Sequence, residues 1–355
     1  MHVVPASVLL DMSRDHSGHR ERRDNSWYGY SEGNTWGAFP FAVSYLYRGQ
    51  TAHHFPLLPS IVRGLDTSDI AQLWRGTVRD QAKIVLRLAQ SWWFAKELTH
   101  HPISAHAKDQ QLPLNALGLA QHYGIPTGYL DLTDDFNVSA FFATCRPTAH
   151  GWEPMDSGTG VIYRVGLRTL DNPFDYYAPL GPQRLPRPTE QCAWVAELPL
   201  CHSFDGWPGV SKLQFHHDRR IAEHFMAMFE GGEQLFPADP LADVADEILA
   251  CRELPVDIAD AALESFASDA HGVRMDQVES VRRAIAELVT LTGYRRLLNA
   301  EQISPLLEDP QWRSRMLADV TVNWRAVRLV PIAKDEGEPV GIESHASIGG
   351  RHPAG

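Results

Sequence analysis

The sequence predicts an α+β fold, in which a β-sheet carries flanking helices and is followed by a helical C-terminal region. Short runs of β-branched and aromatic residues, bounded by Gly, Pro and Asp, are typical of strands. Apolar residues spaced three and four apart are typical of amphipathic helices packed against such strands. The chain has 355 residues, of which 44% are hydrophobic, so it can bury a large core.

Four strands are predicted from the β-branched and aromatic runs, at 43–47, 129–132, 161–165 and 193–198. The polar stretch 11–34 contains few aliphatic residues and predicts a loop. The Pro-rich segment 173–188 also predicts a loop, because proline lacks the N–H that a strand or helix interior requires.

Six helices are predicted, at 78–92, 114–123, 138–143, 217–229, 241–250 and 278–288. The second must end near Gly124, because glycine commonly follows a helix end and Pro126 cannot continue a helix. Thr133, Asp134 and Asp135 precede the third, and each has a side-chain oxygen that can cap its free N–H groups.

The charge balance and the missing motifs exclude several classes of protein. Lys and Arg number 32 against 44 Asp and Glu, a net charge of −12, which argues against a general nucleic-acid coat. The sequence has no run of about 18 apolar residues and no apolar signal core, so we expect a cytoplasmic protein without a membrane partner. Glycine-rich phosphate loops and the Gly-x-Ser-x-Gly elbow are absent, which disfavours Rossmann dehydrogenases, P-loop nucleotidases and α/β-hydrolases. The paired histidines at 53–54, 100–101 and 216–217 lack a spaced third ligand, so we expect no metal site.

The densest group of polar residues lies between Gln121 and Thr133. A helix end, a tight turn, a strand and a new helix start follow one another there, a layout that directs side chains and free N–H groups to one spot. Spacing alone leaves two interpretations open. His122 and Asp131 belong to a functional site, or His122 is a core histidine and Asp131 caps a loop.

Five blocks resemble the FRG domain family: Tyr-Arg-Gly-Gln at 47–50, Pro-Leu-Leu-Pro-Ser at 56–60, Ala-Gln-His-Tyr-Gly-Ile-Pro-Thr at 120–127, Leu-Asp-Leu-Thr at 130–133 and Ala-Phe-Phe-Ala at 140–143. Segments 189–194 and 235–239 are similar to later family segments. The chain departs from the family at Gly128 and Leu132, where an Arg and a Trp are usual, and at Ala193, where a Gly is usual. The resemblance covers residues 37–250 and implies an FRG-like domain there. Composition and apolar spacing predict a polar lead-in at 1–36, a helical region at 251–333 and a disordered tail at 334–355.

The order of these blocks also resembles that of ADP-ribosyltransferases, which implies a split, mixed sheet with a cleft and NAD as co-substrate. In that resemblance Arg48 binds the phosphate or ribose of NAD, Thr133 braces the nicotinamide side, and Gln191 or Glu190 meets the nicotinamide ribose. The implied cofactor-binding residues are Arg48, Gly49, Gln121, His122, Tyr123 and Asp131, and the implied catalytic residues are Gln191, Glu190 and Thr133.

The expected function is that of a mono-ADP-ribosyltransferase which modifies a macromolecular acceptor, protein or nucleic acid. The resemblance further implies a bacterial toxin or anti-phage effector with a neutralising partner. Transfer builds positive charge on the ribose, which a carboxylate stabilises and the neutral Gln191 does not. Adjacent strand residues face opposite sides, so only one of Glu190 and Gln191 can point into the cleft.

Two other readings of the same residues stay open. One is a non-catalytic module that recognises a nucleotide, RNA or peptide through the polar cleft. The other is an interaction protein in which Arg48 and Asp131 form a buried structural ion pair.

Overall fold

The computed structural model describes residues 3–15, 26–32, 35–40, 43–65, 76–110, 112, 114–167, 176–180, 184–198, 202–269, 275–318 and 321–324. In chain order the strands are β1 Val3–Pro5, β2 Ser26–Glu32, β3 Thr35–Pro40, β4 Tyr45–Gln50, β5 Tyr129–Thr133, β6 Cys145–Thr148, β7 Gly151–Pro154, β8 Thr159–Gly166, β9 Tyr177–Pro179, β10 Ala193–Glu197, β11 Val210–His216, β12 Glu253–Pro255, β13 Thr290–Thr292 and β14 Thr321–Trp324. The helices are α1 Ser7–Asp15, α2 Val78–Leu98, α3 Pro102–Asp109, α4 Ala116–His122, α5 Phe136–Thr144, α6 Pro186–Glu190, α7 Arg219–Met228, α8 Pro240–Ala250, α9 Val256–Asp269, α10 Met275–Leu288, α11 Ala300–Glu308 and α12 Pro310–Met316. The tail expected at 334–355 lies outside the described residues.

The central element is a mixed sheet of seven strands in the order β1-β11-β8-β4-β5-β10-β9. β1 runs parallel to β11, and the other neighbouring strands are antiparallel. β4 and β5 meet at a single residue pair, Tyr47 opposite Thr133, whereas β4 and β8 share six pairs. The sheet therefore divides between β4 and β5, and the predicted α+β fold with a mixed sheet is confirmed.

Two cores lie on opposite faces of this sheet. On one face the core contains Tyr47, Ile162 and Phe215 together with Phe136 of α5. On the other face the core contains Leu46, Leu132, Tyr163, Trp194 and Phe204. Alternate residues of β4 therefore point to different cores, as the pleat of a strand requires.

A third core surrounds α2, on which α8, α9 and α10 pack. Thr77 caps α2 by accepting from the Asp80 N–H. At the other end of the helix, the fully buried Glu97 carboxylate accepts from the Tyr294 hydroxyl at 2.8 Å and from the Leu297 and Leu298 N–H groups at 2.9 Å. This carboxylate ties the C-terminal region to α2. None of the helices in the described part of the chain has the length and apolar character needed to cross a membrane.

The structure corrects three secondary-structure expectations. The stretch 11–34, expected as a loop, contains the end of α1 and all of β2. The segment 173–188 contains β9 and most of α6, which starts with Pro186 at a position where proline suits a helix. Glu190 ends α6 and Gln191 follows it, so neither residue begins a strand, and β10 starts only at Ala193.

Candidate functional site

The close contact between β4 and α5 fixes the position of the strand that carries Arg48. A Cβ atom at Gly49 would lie 1.8 Å from the Ser139 carbonyl oxygen and 2.7 Å from the Ala143 nitrogen. Only glycine permits this approach, because its hydrogen leaves room for the helix backbone. Gly49 therefore packs the strand against the helix, and Arg48 projects from the opposite face.

Arg48 reaches across the gap between β4 and β5 to Asp131. Its Nη1 donates to the Asp131 carbonyl oxygen at 2.6 Å and lies 3.7 Å from the Asp131 Oδ2. The Arg48 side chain is 12% exposed and that of Asp131 is 37% exposed, so the guanidinium is covered while part of the Asp131 side chain reaches solvent. Burial lowers the pKa of Arg48, and the negative charge of Asp131 opposes that shift.

The end of α4 brings two further side chains to the same carboxylate. Gln121 Nε2 donates to Asp131 Oδ2 at 3.3 Å, and His122 Nε2 lies 3.6 Å from Asp131 Oδ1. The Gln121 Oε1 is held by the hydroxyls of Ser60 and Thr127, each at 2.7 Å. Gln121 is therefore locked in orientation by both ends of its amide.

The ring nitrogens of His122 face oxygen atoms. Nδ1 lies 3.1 Å from Gln191 Oε1, and Nε2 lies 3.4 Å from the Trp194 carbonyl oxygen. The Gln191 Nε2 donates to the Leu235 carbonyl at 3.0 Å, which assigns its Oε1 as the acceptor for His122. Gln191 thus points inward and holds the imidazole.

Thr133 and Glu190 are engaged away from Asp131. The buried Thr133 hydroxyl donates to the Gln191 carbonyl at 2.8 Å and accepts from the Asp135 N–H at 3.0 Å. The Glu190 carboxylate forms an ion pair with Arg315 of α12. The structure thus gives Thr133 a role in bracing the chain between β5 and α5, and it directs Glu190 to the C-terminal helices.

Tyr123 belongs to a separate buried network. Its hydroxyl donates to the carboxylate of Asp239, and the Arg187 guanidinium lies 5.0 Å from its ring centroid. Burial raises the pKa of Tyr123, and the neighbouring Asp239 charge raises it further. Burial also raises the pKa of Asp239, against the effect of the Tyr123 hydrogen bond. This network joins α4 to the start of α8.

The family comparison matches residues 43–151 to the FRG domain. The chain contains an FRG domain. No curated protein and no solved structure matches the chain. Arg48, Gln121, His122 and Asp131 lie inside the matched FRG segment, whereas Gln191 lies beyond it.

Five side chains converge at this place. The FRG segment supplies four of them, Arg48, Gln121, His122 and Asp131, and Gln191 comes from outside it. Sequence reasoning missed Arg63, whose pKa falls to about 10 because of burial and the nearby positive charge of Arg48. It also missed the orienting hydroxyls of Ser60 and Thr127. Both hydroxyls belong to blocks that resemble the FRG family, and this resemblance is the sequence feature that could have identified them.

Two buried polar atoms of the converging side chains lack a partner in the part of the chain that the structure describes. Arg48 Nε and Asp131 Oδ1 are buried and have no hydrogen-bond partner among the described residues. One is a donor and the other an acceptor, so the site offers a cation and a carboxylate to a ligand that has both an anionic group and a hydroxyl. In the ranges that the structure describes, no three His, Cys, Asp or Glu side chains come together as a metal site would require.

Proposed function

We propose that this protein is an ADP-ribosyltransferase-like enzyme, which binds NAD at Arg48 and Asp131 and transfers ADP-ribose to a macromolecule. The observation that carries the proposal is the pair of unpartnered polar atoms, Arg48 Nε and Asp131 Oδ1, at the point where the sheet divides. Buried polar atoms in a folded protein nearly always have partners, so an unpartnered donor and acceptor at the same place point to a ligand.

The residues at this point fit part of NAD. Arg48 is planar and permanently charged, which suits a diphosphate oxygen. Asp131 presents an acceptor for a ribose hydroxyl, and it is partly exposed. Gln121 holds that carboxylate from the side of α4 by donating to its Oδ2, and His122 Nε2 lies 3.6 Å from its Oδ1.

The carboxylate that the reaction needs is assigned to Asp131. Loss of nicotinamide leaves positive charge on the ribose, and a fixed carboxylate beside it lowers the energy of that charge. Gln191 is neutral and Glu190 is paired with Arg315, so neither is placed to supply the charge. Thr133 keeps the turn after β5 in place for Asp131.

One observation favours a non-catalytic recognition module as the second candidate. The polar groups of Gln191 and Thr133 are already hydrogen-bonded within the protein. The Gln191 amide bonds to His122 and to the Leu235 carbonyl. The Thr133 hydroxyl bonds to the Gln191 carbonyl and to the Asp135 N–H. On this reading Arg48 and Asp131 bind a nucleotide without cleaving it.

The test is incubation of the purified full chain with NAD labelled in the adenylate half, with and without cell lysate. We expect release of nicotinamide and label on a macromolecule, and a loss of at least about 100-fold in Asp131→Asn, the effect of removing one charge-stabilising group. Asp246→Asn, an exposed carboxylate on α8, is the matched control and should react as the wild type does.

Binding of NAD without any release or transfer would assign the recognition function instead. Absence of both binding and transfer would overturn the proposal.

The toxin or anti-phage setting is tested by expression in a bacterial host. Growth arrest by the wild type and normal growth with Asp131→Asn would support it, and an acceptor or neutralising partner would then be sought by capture on the Asp131→Asn protein.

A further inference from the structure

A second polar cluster lies on the same face of the sheet as Arg48. Arg48 on β4 is opposite Tyr163 on β8, and Tyr163 is opposite Lys212 on β11. Directly opposed residues project to the same face, so the two cations stand in one row, two strand spacings or roughly 10 Å apart. Tyr163 is fully buried between them.

Asp205 organises this cluster. Its Oδ1 accepts from Lys212 Nζ at 3.0 Å and from the Tyr163 hydroxyl at 3.3 Å, and it lies 3.2 Å from His53 Nε2. Its Oδ2 accepts from the Leu57 N–H at 2.8 Å. Asp205 thereby fixes the positions of Lys212 and His53, which stay about one quarter exposed at 25% and 26%.

The loop that contains His53 also displays Phe55 to solvent. The Phe55 side chain is 74% exposed, and its ring centroid lies 6.3 Å from that of His53. The loop is held at its start, where Thr51 O lies 2.9 Å from His217 Nε2, and at its end by Leu57. The exposure of Phe55 is therefore a property of a loop anchored on both sides of it.

We infer that Phe55, His53 and Lys212 form a subsite for the adenosine phosphate half of a dinucleotide. The base stacks on the Phe55 ring, since every base offers a π-face to an aromatic side chain. The phosphate lies toward Lys212, whose ammonium is a point charge suited to it. Arg48 and Asp131 then take the nicotinamide ribose half, so this inference rests on the proposed function and assigns the second half of the same substrate.

The test measures the two halves of NAD separately. Adenosine monophosphate and nicotinamide mononucleotide are titrated by calorimetry into the full wild-type chain and into Phe55→Ala. We expect the affinity for adenosine monophosphate to fall about fivefold or more, which is the lower end of what loss of a stacking ring produces. The affinity for nicotinamide mononucleotide should stay unchanged.

Three further variants sharpen the result. Lys212→Gln should lower the affinity for adenosine monophosphate in the same way. Leu307→Ala removes an exposed apolar side chain elsewhere, and Lys96→Gln removes a lysine that is likewise partly exposed and paired with an aspartate. Both controls should bind both halves as the wild type does.

Equal affinity for adenosine monophosphate in wild type and Phe55→Ala would overturn the subsite. So would binding of nicotinamide mononucleotide with no binding of adenosine monophosphate, although the proposed function would then stand. Binding of neither half would remove the proposed function as well. Binding of RNA that depends on Phe55, without binding of adenosine monophosphate, would assign the ring to a different ligand class and overturn the inference.

Discussion

Replacement of Gly49 by alanine should destabilise the protein strongly, because the new methyl group has no space. Its carbon would lie 1.8 Å from the Ser139 oxygen, 2.7 Å from the Ala143 nitrogen and 2.9 Å from the Ser139 carbonyl carbon. All three atoms are main-chain atoms of α5, which cannot rotate away as a side chain can. Overpacking of a core costs about 1–3 kcal/mol when neighbours can adjust. We therefore expect a loss of at least about 3 kcal/mol in the free energy of unfolding.

Urea denaturation with linear extrapolation measures this loss directly. Gly293→Ala is the matched control, since nothing lies within 4 Å of a Cβ at that position. It should change the free energy of unfolding by less than about 0.5 kcal/mol, as surface substitutions usually do. A Gly49→Ala protein within about 1 kcal/mol of the wild type would refute the packing role and return Gly49 to the candidate ligand contacts.

Three further changes test other parts of the structure by the same denaturation assay. Glu97→Ala leaves without an acceptor the buried donors that now bond to the carboxylate, so we expect the free energy of unfolding to fall by about 3 kcal/mol or more. A fall of less than about 1 kcal/mol would contradict the role of Glu97 in tying the C-terminal region to α2. Tyr123→Phe removes a donor from the buried carboxylate of Asp239 and should cost about 1–3 kcal/mol, whereas unchanged stability would show that the hydrogen bond contributes nothing. Burial alone would raise the pKa of Asp205, but its hydrogen bonds outweigh burial and lower the pKa from 3.8 to about 2. Asp205 therefore stabilises the folded state above pH 4, and this contribution is lost as the pH falls toward 2. Asp205→Asn should flatten the dependence of stability on pH across that window, and equal slopes in the two proteins would contradict the shift.

Much of the fold follows from local patterns in the sequence. The apolar spacing predicted α2, α8 and α10, and the β-branched runs predicted β5, β8 and β10 with bounds close to those observed. Gly124 follows the end of α4 as expected, with a φ of 88° that glycine adopts without strain. These elements can be predicted from the sequence because each buries one face, on which apolar residues recur at regular spacing.

Other elements depend on distant partners and leave no local signal. β1 is three residues long and is held by parallel pairing with β11, more than 200 residues away. α1 mixes polar and apolar residues, and Leu9 is its only buried apolar residue. The Asp205 cluster joins residues 152 positions apart in the chain, so the sequence shows only a turn at that place.

Three of the residues named from the resemblance lie close together in the structure. Arg48, His122 and Asp131 meet, although some eighty residues separate the first from the others. The orientation of Gln191 and Glu190 could not be predicted, because it is set by the turn after α6, where Cys192 adopts a φ of 49°.

A crystal structure of the full chain at saturating NAD tests the central claim most directly. We expect a phosphate oxygen within hydrogen-bond distance of Arg48 Nε and a ribose hydroxyl on Asp131 Oδ1, the two atoms that lack partners among the described residues. Density for NAD at another place, or crystals that contain no dinucleotide at the gap between β4 and β5, would contradict the account.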